Sequence, residues 1–277
     1  MRFLHFILSH SIFIALCAIA LCYQTNLILH TAKSLSLYGF IFFSTICSYN
    51  FYWLLSKFYF KKTVINFVFI KEQLSFVILF LTALIGTFYF VIKIPFLIPY
   101  VLVGVFFTLL YSLPLWPFKF FKKLQQLGFF KTVLLAFTWA YITTILPAVS
   151  LLTTSFIPVY SLLAARFCFM LLLCIIFDKR DVTVDKSHGL HSLATDTPAK
   201  TLNSIIYLVF ISYFITGLLL RYHFNDKPQM FAFLLTGGFV WWVYTLSLKK
   251  QGYLFYYFLV DGLMLVSATG SVIASFF

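Results

Sequence analysis

The chain of 277 residues is 62% hydrophobic and 22% aromatic, with only 10% charged residues, a composition that excludes a water-soluble globular protein and marks a polytopic membrane protein. Its net charge of +13 comes from 20 basic and 7 acidic residues. In so apolar a chain that excess reads as membrane orientation, and no nucleic-acid partner is expected. About 20 apolar residues span a bilayer as a helix. In chain order the apolar runs predict nine spans, at 11–29, 35–55, 73–92, 95–113, 131–151, 155–177, 201–220, 229–247 and 253–275.

The connections are short and polar, with no Gly/Ser linker, low-complexity tract or internal repeat, so the expected architecture is an all-α membrane helix bundle forming one domain over 1–277. The first run follows Arg2 and contains Ala18-Ile19-Ala20, the small-residue pattern of a cleaved leader. It continues past that point through Leu21 and Cys22, and is read as a retained span.

With the N-terminus inside, 15 of the basic residues fall in inner segments, 4 fall in outer loops (Lys33, Lys93, Arg221 and Lys227), and Arg166 lies within a span. This split follows the positive-inside rule for an odd number of spans, and predicts a bacterial-type inner (plasma) membrane protein with a cytoplasmic N-terminus. Four of the five tryptophans, Trp53, Trp116, Trp241 and Trp242, lie near predicted inner ends, where an aromatic belt would sit. The cysteines all lie in spans without CxxC spacing and read as small apolar fillers. The abundant phenylalanine suits a lipid-facing surface, and alternatively the lining of a cavity for an isoprenoid chain.

Three of the seven acidic residues stand together: Asp178, Asp181 and Asp185, spaced i, i+3 and i+7. If the sixth helix runs on past the membrane surface, the three carboxylates share one face. Mutual repulsion there is relieved either by Lys179, Arg180 and Lys186, as on a solvated helix end, or by Mg²⁺, a hard cation that takes carboxylate oxygen and keeps waters for a phosphate.

The segment FDKRDVTVDKSHGLHSLATDTPAK, Phe177 to Lys200, resembles the second aspartate-rich motif of the UbiA-type intramembrane prenyltransferases: an aspartate face, the basic Lys186, Gly189-Leu190-His191-Ser192-Leu193, then Ala199-Lys200. YSLPLWPFKFFKK, Tyr111 to Lys123, resembles the family's Tyr-Ser motif with following basic residues, and the nine-span count is similar as well. The resemblance implies a UbiA-like fold and a polyprenyl diphosphate donor whose diphosphate is held by Mg²⁺. Departure of the diphosphate leaves an allylic cation for an aromatic or lipid-like acceptor. Carried onto this sequence, it implies Asp178, Asp181 and Asp185 as metal ligands, and Asn50, Tyr111, Lys119, Arg180 and Lys186 as substrate-binding residues.

The chain departs from the family at the first motif. Where an Asn-Asp-x-x-Asp pattern is expected, CSYNFYWLLSK (Cys47 to Lys57) keeps only Asn50, and Phe51 and Leu54 stand in place of carboxylates. An apolar side chain cannot ligate Mg²⁺. The alternative function is therefore a non-catalytic lipid-binding or scaffold protein of the same fold. A transporter ranks third, because no two-half repeat is present. Two further readings concern isolated residues. Asp185, His188 and His191 have the spacing of a small transition-metal site, interrupted by Gly189. Arg166 and Asp261, ionisable groups inside spans, are expected to pair with each other.

Overall fold

A computed structural model of the chain describes residues 2–61, 73–112, 128–188, 190–224 and 227–277. All regular structure among them is helical, with no strand. Eleven α-helices follow in order: α1 (Arg2–Ser9), α2 (Ile12–Ile28), α3 (Leu35–Lys61), α4 (Leu74–Ile92), α5 (Ile98–Ser112), α6 (Gly128–Thr144), α7 (Phe156–His188), the single turn α8 (Leu193–Asp196), α9 (Ala199–Phe224), α10 (Lys227–Ser247) and α11 (Asp261–Ala274). Helices are what such runs must form in lipid, where every backbone N–H and C=O has to be satisfied inside its own segment.

Among the described residues, six helical stretches are long and apolar enough to cross a membrane: Leu74–Ile92, Pro95–Ser112, Phe156–Ser187, Ala199–Leu219, Lys227–Ser247 and Phe255–Ala274. Ile12–Ile28 is a shorter apolar helix. Prolines shape the ends: Pro95 and Pro147 open the 3₁₀ turns Pro95–Leu97 and Leu146–Leu151, where a missing N–H costs nothing. The short α1 has no counterpart among the expected spans. It is set off from α2 by Ser11, whose φ of 63° is left-handed.

The chain divides into two compact units, the first made of 1–19 and 34–125, the second of 20–33 and 126–277. In the first unit α3 and α4 pack closely through a reciprocal exchange of glycine and phenylalanine. The Phe90 ring lies over Gly39 and the Phe43 ring over Gly86, so that a Cβ added at either glycine would overlap the ring. Small residues that admit a neighbour's bulk are the usual basis of helix packing where lipid supplies no hydrophobic contrast.

In the second unit α7 is the central element. It packs against α6, α9 and α10, and 67% of its most apolar stretch is buried, against 6% for α4. Its 33 residues make a rod of about 50 Å, well beyond the roughly 30 Å of a bilayer core. The condition set by the sequence is met: the helix passes through Asp178, Asp181 and Asp185 without a break and closes at His188, with the Leu190 amide donating to the Asp185 carbonyl at 2.9 Å.

Candidate functional site

The polar end of α7 carries three carboxylates in three different settings. Asp178 accepts from the Thr132 hydroxyl of α6 at 2.5 Å, and Thr132 Oγ1 in turn accepts from the Leu193 amide at 3.1 Å. Asp181 lies against Arg180, whose Nε and Nη2 donate to its Oδ1 and Oδ2, both at 2.7 Å. Asp185 is buried, with 9% of its surface exposed. Lys179 turns to α10, donating to the Tyr244 hydroxyl at 3.2 Å, and Lys186 is exposed on the helix end.

The loop after α7 is tied to the start of α6. Ser192 and Thr195 form a reciprocal capping box on α8. Asp196 accepts from the Gly128 amide at 3.1 Å, where a carboxylate at a helix N-terminus is favoured by the backbone dipole. Gly128 allows this approach, since any Cβ there would collide with the Asp196 carboxylate and the Ser192 backbone. His191 Nδ1 sits 2.7 Å from Asp196 Oδ1. It is therefore engaged with Asp196, and the reading of Asp185, His188 and His191 as a metal site gains no support.

Arg180 occupies the most constructed position. Its guanidinium carbon stands 5.0, 4.9 and 5.0 Å from the ring centroids of Phe177, Tyr256 and Tyr257. The two tyrosines belong to the π-helical turn Phe255–Val260, which precedes α11, and Tyr253 stacks behind Tyr257 at 4.4 Å. Single π turns inside membrane or soluble helices recur at functional sites.

The expected pairing of Arg166 with Asp261 is not formed. Arg166, 2% exposed, donates from Nη1 to the Leu21 carbonyl at 3.2 Å and from Nη2 to Thr25 Oγ1 at 3.4 Å. The basic group acting on Asp261 is Arg180. Position along α7 separates the two: Arg180 follows Arg166 by fourteen residues, about 21 Å along the helix.

In the first unit, Asn50 is 1% exposed and donates from Nδ2 to the carbonyls of Ile46 (2.8 Å) and His10 (3.3 Å), while its Oδ1 has no hydrogen-bond partner among the described residues. The three residues after it each stack on a different ring: Phe51 on Phe80 (5.9 Å), Tyr52 on Tyr111 (5.2 Å) and Trp53 on Phe76 (3.7 Å). Tyr111 is thus part of an aromatic stack. Lys119 lies outside the described residues.

Does this donor set suit Mg²⁺? Among the described residues no three His, Cys, Asp or Glu side chains are arranged to hold a metal ion. Asp181 is occupied by Arg180, and Asp178 by Thr132. The set fits an ion that arrives with phosphate oxygens of its own and needs only one or two carboxylates from the protein, as Mg²⁺ commonly does.

No protein-family model and no curated protein matches the sequence. Among solved structures, the apo structure of a UbiA homolog from Aeropyrum pernix K1 is similar over 96% of this chain and 97% of that one, with a TM-score of 0.64 and 13% sequence identity. The chain is an all-α integral membrane protein with a UbiA-like fold. At 13% identity the likeness carries the fold alone, and shows a chain far diverged from that homolog.

Proposed function

We propose that this protein is a prenyltransferase-like membrane protein that binds a polyprenyl diphosphate at the polar end of α7 and transfers the prenyl group to a hydrophobic acceptor. The observation that carries the proposal is the unbroken run of α7 through Asp178, Asp181 and Asp185, on a chain whose fold matches a UbiA homolog over nearly its whole length. The proposed topology has nine spans, an inner N-terminus and the acidic end of α7 at the inner surface of a bacterial-type plasma membrane, in keeping with the 15 basic residues assigned to inner segments.

In the proposed reaction the allylic C–O bond breaks, its electron pair leaves with the diphosphate, and the acceptor forms the new bond and gives up a proton. Asp185 and Asp181 are assigned to the Mg²⁺ that accompanies the donor. Bound there, that ion would supply Lewis-acid stabilisation of the leaving diphosphate. Arg180 and Lys186 are assigned to the remaining phosphate charge, and Thr132 to fixing the Asp178 carboxylate. Saturable, Mg²⁺-dependent binding of farnesyl diphosphate to the purified protein is the expected result. Its absence overturns the reading.

A second reading, a non-catalytic lipid-binding or scaffold protein, is favoured by one observation: in α3, Phe51, Tyr52 and Trp53 are each stacked on another ring, in the stretch where the family resemblance expects carboxylates. Incubating labelled farnesyl diphosphate with the protein and a membrane lipid extract separates the two. Released diphosphate with a labelled lipid product supports the enzyme; retained, intact donor supports the scaffold.

A further inference from the structure

Arg180 makes a bidentate contact with its sequence neighbour Asp181, and is walled by Phe177, Tyr256 and Tyr257 at 4.9–5.0 Å. A surface arginine that merely neutralises an adjacent carboxylate gains about 0–1 kcal/mol and requires no such enclosure. Here the enclosure is assembled from a segment more than seventy positions away in the chain, in a π turn whose wide winding lets two consecutive tyrosines reach the same guanidinium. The site is open on one side: the Arg180 side chain keeps 23% of its surface exposed and that of Asp181 keeps 37%. The other charged group acting from the π-turn side is Asp261, while Lys179 is drawn off to Tyr244.

The planar fork that Asp181 fills is the one arginine offers to a phosphate, with two parallel N–H donors meeting two oxygens. Holding that fork rigid before a ligand arrives reduces the ordering cost of binding. Resting on the diphosphate-binding reading above, we propose that Arg180 is a metal-independent receptor for a phosphate headgroup, that Asp181 occupies it as an internal stand-in, and that Tyr256 and Tyr257 are its positioning residues. An incoming phosphate takes over the two donors and releases Asp181, whose carboxylate then becomes available to the cation that accompanies a diphosphate. No covalent step is involved. The shared chemistry is an anionic phosphate that presents two non-bridging oxygens to the guanidinium fork, from a prenyl diphosphate or from the phosphodiester of an anionic phospholipid headgroup.

The test uses the full-length protein in neutral detergent with a chelator present. Inorganic diphosphate is titrated against wild type, Asp181→Asn, Arg180→Lys, the pair Tyr256→Leu/Tyr257→Leu and the pair Tyr256→Phe/Tyr257→Phe. Because the stand-in lowers apparent affinity by the fraction of receptor it fills, Asp181→Asn should bind about tenfold more tightly than wild type. Arg180→Lys and the leucine pair should lose about tenfold or more, and the phenylalanine pair should recover most of the loss. A gain in Asp181→Asn cannot arise from misfolding. Unchanged or weaker binding by Asp181→Asn, or wild-type binding by Arg180→Lys, overturns the proposal. Nanodiscs containing phosphatidylglycerol form a parallel arm: a response there, with none to diphosphate under any condition, supports the receptor with a lipid source and overturns the prenyl-diphosphate reading. Normal diphosphate binding in Mg²⁺ with no Asp181→Asn gain in chelator overturns the receptor alone.

Discussion

The Thr132 hydroxyl lies 2.5 Å from Asp178 Oδ2, joining the first turns of α6 to the polar end of α7, and the same oxygen accepts the Leu193 amide at 3.1 Å. One side chain therefore fixes a carboxylate and the loop that follows it. Thr132→Val keeps the shape and removes both bonds, leaving Asp178 short of a donor and the Leu193 amide without that acceptor. The expected loss is about 1–3 kcal/mol, read as a lower Tm in detergent, with most of it recovered in Thr132→Ser. An unchanged Tm in Thr132→Val would show that water replaces the hydroxyl at no cost.

Arg166 and Asp261 have different partners, Arg166 the Leu21 carbonyl and Thr25, and Asp261 the charge of Arg180. Each of Arg166→Leu and Asp261→Leu should lower stability, and in the double variant the two losses should add to within about 0.5 kcal/mol, as for separate sites. A coupling above about 1 kcal/mol between them would contradict this assignment.

The exchange of glycine and ring between α3 and α4 makes Gly39 and Gly86 sensitive positions. Gly86→Ala should cost about 1–3 kcal/mol by forcing the Phe43 ring aside. The control is Gly238→Ala, where nothing lies within 4 Å of an added Cβ, and it should leave the Tm unchanged or slightly raised. Equal effects at the two positions would remove the packing argument.

Reporter fusions placed after Lys62, Lys123 and Lys186 should all report the cytoplasm if fifteen basic residues are held inside. One external report among the three breaks the nine-span topology, and with it the inner placement of the acidic end of α7.

The helical runs and the acidic face were legible in the sequence because both are local: apolar runs of span length, and carboxylates at i, i+3 and i+7 on a helix that does continue. The Arg180 enclosure was not legible. Tyr256 and Tyr257 look like ordinary aromatic residues of the last span, and only the π turn brings them both to one guanidinium. Thr132 and Asp196 were missed for a related reason, since a threonine in an apolar run and a loop aspartate show no spacing that announces a partner. The weak signals were Gly128, four residues before Thr132, and the Ser192-to-Thr195 cap. The Arg166–Asp261 expectation failed because charge complementarity alone does not say which of two basic residues on α7, Arg166 or Arg180 fourteen positions on, meets the carboxylate.

The central claim is that the carboxylates of α7 receive the cation of a cation–diphosphate complex. It is tested most directly by titrating Mg²⁺ at fixed farnesyl diphosphate, with wild type and the double variant Asp181→Asn/Asp185→Asn side by side. In wild type, bound donor should rise saturably with Mg²⁺, by about tenfold or more over the chelated state, and in the double variant it should not respond to Mg²⁺. Parallel curves, or a wild type indifferent to Mg²⁺, would contradict the account.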